Sequence, residues 1–234
     1  MTTDTRSQIL RGAIDASPFL LIMVPFSMLF GVVATEAGFS IAQTLSMSVV
    51  VIAGAAQFTA IQLMVDDAPT IIVLLTALAV NLRMAMYSAA LVPHVGTAPR
   101  WQRAFAAYFL VDQVYGMVAA RYEAHPEHTI TQKMAYYFGV AIFICPWWYL
   151  FTYIGAVAGG AIPPDYGLDF AVAIAFIAMI APQLKSLAHV AAAFVSVVLA
   201  LGLAWVPLNL GLIIAAFAAM LTGALVETWR VGRT

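Results

Sequence analysis

Charge is what this chain has least of. Of its 234 residues, 9% are Asp, Glu, Lys or Arg, against roughly 25% in an ordinary soluble domain. That is too few to cover a water-facing surface. Nor is there an excess of one sign: a formal net charge of −1 provides no electrostatic footprint for nucleic acid. A single cysteine, Cys145, excludes intrachain disulfides. No nucleophile elbow, phosphate-binding loop, haem-attachment motif or zinc-protease signature is present. Primary ATPase activity and the common hydrolytic chemistries are therefore not expected, and neither is a cofactor. His94, His125 and His128 fall in links without evident supporting metal ligands. A cleavable leader is not expected either: Met1–Asp15 carries two arginines and two aspartates before the first apolar run, with no small-residue cleavage site.

What the chain has instead is apolar length. Hydrophobic residues make up 64% of it, and runs near the length of a membrane span recur from Ala16 to Val226. About 20 residues suffice to cross a bilayer as helix. Runs such as Thr70–Leu75 and Leu210–Ala219 are apolar on every face, whereas barrel strands alternate. The expected fold is an all-α, polytopic transmembrane bundle forming a single permease domain of residues 1–234, with interrupted helices and about eight spans. These fall near 16–35, 41–65, 70–91, 104–120, 134–157, 168–181, 186–203 and 208–226. Thr5–Asp15 reads as an interfacial helix before the first span, the third span is expected to stop at Pro93, and Pro146 to kink the fifth.

Eight crossings put both termini on one side. With that side cytoplasmic, Arg6, Arg11, Arg121, Lys133, Lys185, Arg230 and Arg233 face inward and only Arg100 and Arg103 outward, with Arg83 inside a span. Seven against two follows the positive-inside tendency. A second topology, with a re-entrant second span and a cytoplasmic link at Pro93, accommodates Arg100 and Arg103. A short likeness between Ala53–Gln57 and Ala178–Gln183 allows internal halves at 1–120 and 121–234, though chance explains it equally well.

Polar groups deep in such spans need partners or a watered cavity, so they mark a candidate solute path. Gln57, with Thr59 and Gln62 beyond it, follows Gly54-Ala-Ala, where another backbone can approach or the helix can open. Asn81 and Arg83 lie in the third span. Asp112, in the fourth, either locks to Arg83 as a structural pair or leaves one member to handle a proton or a substrate carboxylate. Pro182, Gln183 and Lys185 interrupt the second half, and Gln183 joins the candidate set. Trp101, Trp147, Trp148, Tyr149, Trp205 and Trp229 read as interface anchors.

The series Ile9-Leu-Arg-Gly-Ala13, Pro25-Phe-Ser-Met-Leu-Phe-Gly31, Ala53-Gly-Ala-Ala-Gln-Phe58, Asn81-Leu-Arg-Met-Ala-Met-Tyr87 and Phe109-Leu-Val-Asp-Gln113 resembles the AzlC family, the large subunit of branched-chain amino acid exporters. The resemblance implies a bacterial plasma-membrane (inner-membrane) permease working with a small AzlD-like membrane subunit. It implies secondary export of valine, leucine or isoleucine, with methionine for some members. It also maps the family's Gly-Ala-x-Gln-Phe, Asn-Leu-Arg and acidic positions onto Gly54–Phe58, Asn81–Arg83 and Asp112. Gln113 stands where many members have an acidic or small residue.

Overall fold

A computed structural model describes residues 3–159, 184, 186–206 and 210–231. These residues form two compact units: residues 3–66 with 73–159, and residues 67–72 with 184, 186–206 and 210–231. The expected sixth span and Gln183 lie outside the described residues.

In the first unit, α1 (Thr3–Ala16) passes through a 3-10 turn (Ser17–Phe19) into α2 (Leu20–Glu36). Then come α3 (Ile41–Val50), α4 (Gly54–Val65), α5 (Thr70–Val95, which belongs to this unit from Val73), α6 (Arg100–Tyr108), α7 (Asp112–Ala124) and α8 (Ile130–Gly159). Among the described residues, four helical stretches are long and apolar enough to cross a membrane: Thr5–Glu36, Thr70–Val95, Ile130–Gly159 and Leu210–Arg230. Three shorter apolar helices, Ile41–Val50, Gly54–Val65 and Leu187–Gly202, accompany them.

Two of the expected continuous spans are corrected. The second breaks at Val51-Ile52-Ala53 into α3 and α4, and the fourth breaks at Phe109-Leu110-Val111 into α6 and α7. A smaller correction concerns proline: helix α5 runs past Pro93 to Val95. Pro146 lies inside α8, as expected. At both, the ring removes one backbone bond but leaves the helix in place.

Helix α8 is the hub, and glycine sets how closely its neighbours approach. A Cβ at Gly12 would strike the backbone of Tyr136, Gly139 and Val140, and one at Gly139 would strike Ile9. A Cβ at Gly31 would strike Thr152, Gly155 and Ala156, and one at Gly155 would strike Met28. In lipid, where apolar burial gives little drive for helix association, such backbone contact supplies the packing. The register advances together, Gly12 with Gly139 and Gly31 with Gly155. The α1–α2 stretch and α8 therefore run parallel, with their N-termini at the same end. There Tyr136 donates to Asp15 Oδ2 at 3.2 Å, and Asp15 pairs with Arg11 at 3.1 Å.

In the second unit, α9 (Leu187–Gly202) and α10 (Leu210–Val231) pair antiparallel along small residues. Gly223 sits on Ala192 and Gly211 on Leu203, while Ala188 and Ala215 are buried. Ser186 caps α9 by accepting the His189 N–H at 3.2 Å.

Candidate functional site

The break between α3 and α4 follows from local sequence. Val49-Val50-Val51-Ile52 is a β-branched run that fits helix poorly; Val51 is extended at φ −132°, and Ala53 also leaves the helical region at φ −147°. Gly54 restarts the helix under two rings: a Cβ there would stand 2.7 Å from Phe26 and 2.8 Å from Trp148, so a side chain would have to displace a ring edge. Phe26, Phe30, Phe58 and Trp148 form one aromatic cluster, with centroid separations of 5.0 Å for Phe26–Phe58 and 6.3 Å for Phe30–Trp148. Gln57, in the first turn of α4, is 1% exposed and donates its Nε2 across the break to Ser48 Oγ at 3.1 Å. Its Oε1 is buried with no partner. Thr59 is spent locally, donating to the Ala55 carbonyl at 2.8 Å.

At the second break, Val111 is extended and Asp112 opens α7, where a carboxylate favours the helix N-terminus. Asp112 Oδ2 meets Arg83 Nη2 at 3.0 Å, and its Oδ1 accepts the Tyr87 hydroxyl at 2.9 Å. Tyr87 in turn stacks on Tyr115, with centroids 4.0 Å apart and planes 7° apart. Arg83 and Tyr87 stand one turn apart on α5, so one face of that helix grips the start of α7. Both members of the ion pair keep some exposure, 26% for the Arg83 side chain and 33% for Asp112. Arg83 Nε and Asn81 Oδ1 are buried without a partner.

The two breaks touch. Tyr108, the last residue of α6, donates its hydroxyl to the Val49 carbonyl at 2.6 Å and meets the Tyr149 hydroxyl at 3.2 Å. This joins Val49, which the end of α3 leaves short of a helical partner, to the turn before Asp112. Removing the hydroxyl in Tyr108→Phe is expected to cost about 1 kcal/mol, read as a lowered midpoint of thermal unfolding in detergent.

A cavity of ≈ 620 Å³ opens among α5, α6 and α8 and reaches the second break at Leu110. Ser88, Arg103 and Tyr137 are among its lining residues, but Gln57, Asn81 and Asp112 are not.

Of the sequence candidates, the structure joins Arg83 to Asp112 and puts Gly54 and Gln57 at the other break. Thr59 bonds only its own helix, and Asn81 has an open acceptor. Ser48, Tyr87 and Tyr108 are partners that sequence reasoning missed. Tyr87 was within reach, being four residues from Arg83 on a helix. Trp148 departs from the anchor reading: it is 7% exposed, inside the aromatic cluster. Trp101, Trp205 and Trp229 are exposed.

The view that the link histidines lack metal-type neighbours is corrected in part. His125, Glu127 and His128 hold ligand-type atoms within 4.8 Å of one another. A backbone hydrogen bond, and then His125 at 3.2 Å, hold the Glu127 carboxyl below its usual range. The two rings stack 9° from parallel with centroids 4.8 Å apart.

Comparison with known proteins finds other membrane proteins. A membrane protein of Helicobacter pylori, described as uncharacterised, is 24% identical over 82% of this chain and 85% of its own. The inner membrane protein YgaZ of Escherichia coli K12 is 25% identical over 67% of this chain and 63% of its own. No solved structure matches. The family model for the AzlC protein matches residues 18–162, more than half the chain and the stretch that carries both broken helices and the Arg83–Asp112 pair. The chain belongs to the AzlC family, a family of membrane transporters rather than enzymes.

Proposed function

We propose that this chain is a single-domain permease that exports amino acids, valine, leucine and isoleucine foremost and methionine second, across the bacterial plasma (inner) membrane. It does so as a secondary transporter, together with a small AzlD-like membrane subunit. The observation that carries the reading is the meeting of two interrupted helices, α3–α4 and α6–α7, through Tyr108 and Val49, with a buried amide at one break and an ion pair at the other. Discontinuous helices free backbone groups at membrane depth, and transporters use such ends to hold polar solutes. Gly54, Gln57, Asn81, Arg83 and Asp112 line the path in this reading. The aliphatic and aromatic walls receive the substrate side chain.

The cycle requires the Arg83–Asp112 pair to part. A proton arriving on Asp112 removes its charge and frees Arg83, which links opening to a proton gradient. In this reading the N-terminus faces the cytoplasm, because α1 and α8 begin at one end with Arg6, Arg11, Arg121 and Lys133, and eight crossings return the C-terminus to the same side. Parallel α2 and α8 favour an odd number of crossings between them. Three crossings, as in the eight-span arrangement, are consistent with this.

Efflux of labelled valine, leucine, isoleucine and methionine from vesicles tests the proposal, with the chain present alone and with its small partner. Saturable efflux that needs this chain is the expected result. Equal efflux from vesicles lacking it overturns the reading.

A further inference from the structure

The first break offers more than a place for a helix to bend. Helix α4 begins at Gly54 with no side-chain cap. The N–H of Gln57 is the first to be taken up, by the Ala53 carbonyl at 2.9 Å, so those of Gly54, Ala55 and Ala56 stand open at the positive end of a twelve-residue helix. A helix N-terminus alone does not make a site. Here two further buried groups are left unpaired beside it, and they are complementary. Gln57 keeps Oε1, an acceptor, without a donor, and Trp148 keeps Nε1, a donor, without an acceptor. Gln57 is 1% and Trp148 7% exposed, so water does not satisfy them from outside. Trp148 lies over Gly54, with Phe26 on the same face.

Resting on the export reading, we infer that this break is the seat for the zwitterionic head of the substrate. The carboxylate sits on the open N–H groups of Gly54, Ala55 and Ala56 and on the Trp148 indole, and the ammonium donates to Gln57 Oε1. The apolar side chain lies among Phe26, Phe30 and Phe58. An anion at free backbone donors and a cation at an amide oxygen each find the charge-assisted partner they lose on leaving water. Ser48 holds the Gln57 amide by taking the Nε2 hydrogen, which leaves Oε1 as its unused acceptor. The substrate class follows: α-amino acids with a free carboxylate, a free ammonium and an apolar side chain. Amides and N-acylated forms are rejected.

The test uses the purified full chain with its small partner in nanodiscs, and measures binding of labelled L-leucine in competition with L-leucinamide and N-acetyl-L-leucine. Each analogue lacks one half of the head. Each is expected to compete about ten-fold or more weakly than leucine. Q57L is expected to weaken leucine binding by about ten-fold while leaving N-acetyl-leucine, which has no ammonium to lose, within about two-fold. Analogues that match leucine overturn the inference without any variant being needed, and so does Q57L binding leucine at full affinity. The same preparation is assayed for efflux. Leucine efflux with analogues bound equally well sinks the head-group seat and leaves export standing. Discriminating binding with no efflux of any amino acid sinks export and retains the seat.

Discussion

Asp112→Asn is expected to reduce leucine efflux by about 30-fold or more while the protein still reaches the membrane and binds its partner. Asn keeps the size of the side chain and can still accept the Tyr87 hydroxyl, which now lies 2.9 Å from the carboxylate. It cannot neutralise Arg83 at 3.0 Å. A charge left without its partner in low dielectric costs several kcal/mol when fully buried. Both groups here are a quarter to a third exposed, so roughly 2 kcal/mol is the appropriate scale. At about 1.4 kcal/mol per tenfold that is the 30-fold stated.

The single change does not separate a structural pair from a working one; the double change does. Arg83→Met is expected to destabilise comparably, since it strands the carboxylate. Arg83→Met with Asp112→Asn removes both charges and is expected to recover most of the unfolding midpoint. Efflux is expected to stay low, because nothing is left to part and rejoin. Efflux recovering along with stability in the double variant would make the pair a structural lock and nothing more.

The second large effect lies in the packing of α2 against α8. Gly155→Leu places a branched side chain where even a single carbon meets the Met28 backbone. The helices must separate along that stretch, and no flexible side-chain end is present to yield. The cost is expected to exceed the roughly 1–3 kcal/mol of ordinary overpacking, so that size-exclusion chromatography shows aggregate instead of a single folded peak. Gly116→Ala is the control. Nothing lies within 4 Å of a Cβ there, and replacing a helical glycine with alanine stabilises by about 0.5–1 kcal/mol. A soluble, active Gly155→Leu would show that the close approach is not needed.

The membrane class was legible because apolar length has no competing explanation at this scarcity of charge. The Arg83–Asp112 pair was legible as one of two options, since an ion in hydrocarbon must find a partner and these are the charges inside the third and fourth spans. The breaks were harder to read. The first left a trace in the valine run and Gly54, which suggested an opening but did not fix it. The second falls in Phe109-Leu110-Val111, which carries neither glycine nor proline and reads as unbroken helix; only an acid placed to begin α7 marks it. Trp148 illustrates the same limit for aromatics. A tryptophan near a proline inside an apolar run suits a headgroup region or a buried cluster equally well by sequence, and only the surrounding Phe26, Phe30 and Phe58 decide it.

At 1.5 Å per residue, the 30-residue α8 is about 45 Å long, and the stretch fused alongside it from Thr5 to Glu36 is 32 residues. Hydrocarbon is about 30 Å thick. Two rods of such length, glued in parallel, must lean or protrude, and a thicker bilayer straightens them. Since α3 rests on α8, lipid chain length becomes a mechanical input to the first break, so the host membrane's composition is part of how this protein is set.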